Sequence, residues 1–138
     1  MSTSNPSMLS HVSIGTNDHA RALAFYDAVL APLGCKRLMD FPGAVAYGKM
    51  FPEFWVQNPT DGAPATLANG VHFGFHADSA EQVDAFYAAA IEAGATDDGP
   101  PGPRPHYGEA YYGCFVRDPD GHKIEATFWD ASKDQSHS

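Results

Sequence analysis

Hydrophobic and polar positions alternate along His11-Val12-Ser13-Ile14-Gly15-Thr16. Val12 and Ile14 fall on one side and His11 and Ser13 on the other, the pattern of a strand buried on one face. Asn17 or Asp18 then offers a helix cap, and Ala22, Leu23, Phe25, Tyr26, Val29, Leu30 and Leu33 recur at helical spacing until Gly34. The same succession returns later. Val71 to His76 alternates, Ser79 caps, and Val83, Phe86, Tyr87, Ala90 and Ile91 form a second apolar stripe that stops at Gly94. Gln82, three residues after Ser79, completes a capping box. An offset of 61 carries His11 onto His72 and Phe25-Tyr26 onto Phe86-Tyr87, so one strand-helix unit is written twice.

Strand-like runs follow each helix. In the first half they are Cys35 to Phe41, Ala44 to Gly48 and Glu53 to Gln57, with Pro42-Gly43 as a turn. In the second they are Arg104 to Tyr107, weakly, then Tyr111 to Arg117 and His122 to Trp129, with Asp118-Pro119-Asp120-Gly121 between the last two. The expected fold class is α+β, with two β-α-β-β-β repeats forming curled mixed sheets and helices on the outer face. Repeat one spans about 9–58, a linker 59–69, repeat two about 70–130 and a frayed tail 131–138, all within one domain. The rigid stretch from Gly99 to Pro105 is expected to overhang the cleft as a loop.

Strand alternation also assigns faces. Ile124, Ala126 and Phe128 should pack under the helices, which turns Lys123, Glu125 and Thr127 away from them. By the same rule His11 and Ser13, and His72, Gly74 and His76, face away from the helix layer. Two imidazoles and a carboxylate on one polar face suit a single divalent ion, Fe, Mn, Ni, Co or Zn, with positions left for water or substrate. The expected metal ligands are therefore His11, His72 and Glu125. His76 is either a contact to substrate or simply exposed. His106, Tyr107, Tyr111 and Tyr112 either line the cleft mouth or pack on the surface. Arg104 is either a clamp for a substrate carboxylate or a solvated charge, and Ser13 is placed to hydrogen-bond a ligand.

Composition narrows the partners. The 138 residues carry a formal charge of −9 and lack the clustered Lys and Arg that binding phosphates requires, which argues against nucleic acid or an anionic membrane as partner. A small molecule is the expected partner. No apolar run approaches the ~20 residues of a membrane span, and Met1 to Ser7 lacks the basic and apolar regions of a signal peptide, so a cytoplasmic protein is expected. Cys35 and Cys114 read as reduced, buried thiols. Gly-x-Ser-x-Gly is absent, which leaves a serine hydrolase without support.

With these residues in place, the chain from His11 to about Trp129 resembles the vicinal oxygen chelate superfamily. That group includes glyoxalase I, bleomycin-resistance proteins, fosfomycin-modifying transferases and extradiol dioxygenases. Asp118-Pro119-Asp120-Gly121-His122-Lys123-Ile124-Glu125 is similar to the family's turn into its last strand and terminal metal-binding Glu. His11 stands at the first ligand position, and His72 in Gly70-Val71-His72-Phe73 matches the ligand that opens the second repeat. The resemblance implies half-barrels, a metal cleft between repeats paired within or between chains, and a homodimer. Glyoxalase-type isomerases add a fourth ligand on the last strand of the first repeat. Matching Phe54 and Val56 to Ile124 and Ala126 puts Trp55 there, with Glu53 and Gln57 one step away. The implied function is a metal-dependent enzyme on a small oxygen-chelating substrate, of lyase/isomerase, dioxygenase or transferase type, with Glu125 as ligand and candidate base. The alternative is a metal-free protein of the bleomycin-resistance type that sequesters a small molecule or antibiotic, walled by Trp55, Tyr111 and Tyr112.

Overall fold

The paired strand-helix units are laid out as the alternation predicts. In the computed structural model, which describes residues 8–133, β1 (Val12–Gly15) leads to α1 (His19–Leu30), a 3-10 turn at Ala31–Leu33, β2 (Lys36–Phe41), β3 (Ala44–Gly48) and β4 (Phe54–Gln57). The second unit is β5 (His72–His76), α2 (Ala80–Glu92), β6 (Thr96–Asp97), β7 (Gly102–Pro103), a 3-10 turn at Pro105–Tyr107, β8 (Tyr111–Arg117) and β9 (Lys123–Trp129). Each forms its own mixed sheet. The strand orders are β1-β4-β3-β2 and β5-β9-β8-β6, with β7 also on β8. In both, the first strand runs parallel to the last and every other pairing is antiparallel.

Local chemistry sets the helix ends. The Asp18 carboxylate accepts from the Arg21 N–H at 3.1 Å and Ser79 Oγ accepts from the Gln82 N–H at 3.1 Å, each satisfying a donor of the first turn. Gln82 Oε1 reaches past Ser79 to the Asp78 N–H at 2.7 Å, so the capping box closes one residue earlier than expected. Gly34 takes φ +82°, which the reversal after α1 requires and a side chain would resist.

The helices cover the same side of both sheets and share one core. Phe25, Tyr26, Val29 and Leu30 of α1 and Val83, Phe86 and Ala90 of α2 pack with Ile14, Val56, Cys114, Val116, Ile124 and Ala126 from the strands. At the seam, the Phe54 ring meets Phe73 at 6.2 Å and Phe75 at 5.0 Å, both edge-on. The turn before β9 bolts the repeats together. Asp118 accepts from the Tyr26 hydroxyl at 2.5 Å, Asp120 from the Thr16 hydroxyl at 2.6 Å, and the Gly15 carbonyl from His122 Nε2 at 2.7 Å.

Several expectations need correction. Arg104 to Tyr107 is no strand. Pro105 has no N–H for a ladder, the segment curls into the 3-10 turn, and β6 and β7 pair with β8 in its place. The Gly99–Pro105 stretch is therefore partly tied to the sheet. Cys114 is fully buried, and burial pushes its thiol up to about 12, whereas Cys35 is only half-buried and also raised by burial. Residues 134–138 of the expected tail lie outside the described residues. No helix among those described is long and apolar enough to cross a membrane.

Candidate functional site

Glu125 sits mid-strand in β9, on the face turned from the helices, yet it is only 9 % exposed. Register explains its neighbours. Gly74 pairs with Glu125 and His72 with Lys123, so the imidazole lies one diagonal step from the carboxylate. Glu125 Oε1 is 3.2 Å from His72 Nε2, and Oε2 accepts from the Tyr111 hydroxyl at 2.5 Å. Two glycines open this space. A Cβ on Gly74 would stand 3.2 Å from Oε1, and one on Gly113 would run into the Tyr111 hydroxyl and the Ala126 carbonyl. Burial and then the Glu125 contact hold the Tyr111 phenol well above its ordinary pKa, so it remains a donor. Thr127 Oγ1, on the same face, is buried without a hydrogen-bond partner.

The cations near this face are already engaged. Lys123 and Arg104 both lie over the Phe115 ring, at 4.9 and 5.3 Å. Arg104 Nη1 donates to the carbonyls of Gly113 at 2.6 Å and Gly102 at 3.1 Å, and Nη2 donates to that of Pro100 at 3.0 Å. Its guanidinium staples the Pro/Gly loop to β8. His106 is exposed beside Tyr107, whose ring meets Tyr111, which in turn meets Trp129.

In the first sheet Ser13 pairs with Trp55 as Gly74 pairs with Glu125, so the indole does occupy the position equivalent to the carboxylate. Phe41 lies parallel to Trp55, with planes within 5° and centroids 6.5 Å apart, and the strand between them contributes only Ala44 and Ala46 to this face. Gln57 shares Trp55's face at the end of β4. His11 precedes β1, is exposed and contacts Ser10 Oγ through Nδ1 at 3.0 Å. His11, His72 and His76 line one cavity of about 440 Å³ at the seam, with Glu53 on its wall.

The His72 and Glu125 donors fit two corners of a metal site. Bonds of about 2.0–2.2 Å to one ion, roughly at right angles, separate neighbouring ligand atoms by about 3 Å, close to the 3.2 Å found. Gly74 leaves that flank open. A third donor is not brought to them: among the described residues no group of three or more His, Cys, Asp or Glu side chains is placed to hold an ion. His11 shares a cavity with His72 without joining the pair. The alternation located the polar face and placed Gly74 and Thr127 on it, but gave them no part in the site and passed over Gly113. Their signal was the presence of small residues on the curled faces turned from the helices, the cups of the two sheets.

The comparisons agree with this architecture. The model of the Glyoxalase/Bleomycin resistance protein/Dioxygenase superfamily matches residues 8–126. A crystal structure of a glyoxalase/bleomycin resistance protein from Albidiferax ferrireducens is 42% identical, with a TM-score of 0.80 over 88% of this chain and 98% of that one. A family enzyme from Burkholderia phytofirmans is 21% identical with a TM-score of 0.66, over 88% of this chain and 98% of that one. A lactoylglutathione lyase from Agrobacterium tumefaciens is 21% identical with a TM-score of 0.62, over 90% and 95%. The last two share the fold alone. No protein of curated function matches the chain. The chain belongs to the glyoxalase/bleomycin resistance protein/dioxygenase superfamily.

Proposed function

We propose that this protein is a metal-dependent enzyme acting on a small molecule that chelates through neighbouring oxygens, with His72 and Glu125 of one copy and His11 of a second copy as ligands. The observation that carries this reading is the 3.2 Å separation of His72 Nε2 and Glu125 Oε1 beside the open flank of Gly74. A bound divalent ion would supply Lewis-acid stabilisation of developing negative charge on substrate oxygen. The chain's own groups do the rest. Tyr111 holds the carboxylate, and Phe115 backs the imidazole at 5.8 Å. A second copy is invoked because the cup faces are open, with Phe41, Tyr107 and Trp129 about half exposed. Superfamily proteins bind small molecules and often form dimers.

Mixing variants tests the ligands and their division between copies. His11→Ala and Glu125→Gln proteins should each fail to bind Co(II), while a refolded mixture regains binding, because a heterodimer then contains one intact site. Wild-type protein that takes up no divalent ion would sink the metal reading. Silence of the mixture, with wild type binding, would place all three ligands in one chain. A second reading, a metal-free binding protein, is favoured by the parallel Phe41–Trp55 pair over a floor of alanines. It requires a planar aromatic ligand to bind equally well in chelator.

A further inference from the structure

Tyr111 and Glu125 are joined by a contact whose construction goes beyond packing. The tyrosine lies on β8 four residues before Phe115, the residue paired with Glu125, so its hydroxyl can reach the carboxylate only by laying the ring along the strand. Gly113 is the residue it crosses. A Cβ there would stand 2.6 Å from Tyr111 Cζ, so the absence of a side chain makes the path. Trp129 and Tyr107 hold the ring from two sides, edge-on at 5.1 and 5.0 Å. The hydroxyl arrives at Oε2, whereas His72 faces Oε1.

We infer that Tyr111 is a positioning residue that occupies Glu125 Oε2 and so presents Oε1 alone, beside His72, as the metal-binding oxygen. The inference rests on the metal reading above. A ligating carboxylate that is hydrogen-bonded through its other oxygen keeps its orientation, and loss of such an outer partner typically weakens metal binding by about 10–100-fold. Gly113 belongs to the same device, because it makes the approach possible.

Co(II) titration with a competing chelator, on wild type, Tyr111→Phe and Gly113→Ala, tests it. Tyr111→Phe keeps the ring and removes the donor. It should weaken Co(II) binding by about 10–100-fold and change the visible absorption of the bound ion, since Oε2 is freed. Gly113→Ala, if its circular dichroism remains native, should do the same while retaining the phenol. Wild-type affinity and an unaltered spectrum in Tyr111→Phe would overturn the role of Tyr111 and leave the metal reading standing. A wild-type protein that binds no Co(II) would overturn both.

Discussion

Gly74 carries a compact test of how single residues divide between folding and chemistry. Its backbone is not in the left-handed region, so alanine is conformationally acceptable there. Replacing Gly by Ala at such a position commonly stabilises by about 0.4–1 kcal/mol through the unfolded chain. The new methyl would meet Glu125 Oε1 at 3.2 Å, closer than ordinary contact, and push the carboxylate off His72. Gly74→Ala should therefore leave the urea midpoint unchanged or slightly higher while weakening metal binding. Equal loss of both would show that the glycine serves the strand and not the site. The shared face of His72 and Glu125 was legible in the sequence because alternation fixes which face a strand residue takes. The space that Gly74 and Gly113 leave open was not, because a glycine's use depends on what approaches it from another strand, and that partner is set by register.

At the level of elements, the turn before β9 serves stability as much as it leads into the site. Tyr26 on α1 is fully buried and donates to Asp118, and burial first, with Asp118 second, raises its phenol well above the ordinary value. A raised folded pKa means that the stabilisation is complete below the unfolded value of about 10 and is lost as pH climbs past it. Tyr26→Phe should cost about 1.5–3 kcal/mol in urea unfolding at neutral pH, as expected for a hydrogen bond to a charged group. The variant should also lose less stability than wild type between neutral and strongly alkaline pH; a parallel alkaline decline in both would rule out Tyr26 as its source. This tie was invisible in the sequence, although both partners were singled out, because they are 92 residues apart and belong to different repeats. What was legible here was periodic: both helices, their caps and the two long second-repeat strands. What was missed was the Arg104–Tyr107 segment, where Pro105 breaks the ladder that alternation alone suggested.

For the whole molecule, the two sheets repeat one plan, and the chemistry lies in where the copies diverge. Matched register sets Trp55 against Glu125, so one cup ends in an indole paired with Phe41 and the other in a carboxylate paired with His72. In the proposed dimer the first cup of one copy closes over the second cup of the other, which brings Trp55 to the corner facing the ion. Trp55→Glu would place a fourth oxygen donor there at the cost of the aromatic contact, worth about 0.5–1.5 kcal/mol. The expected result is a lower melting temperature together with tighter Co(II) binding, whereas Trp55→Ala lowers the first without improving the second. If both variants weaken binding alike, the indole does not face the ion, and the cups do not close in that way. If Trp55→Glu alone tightens it, this corner belongs to the ion's coordination sphere, and the native indole is what keeps the site at three protein ligands.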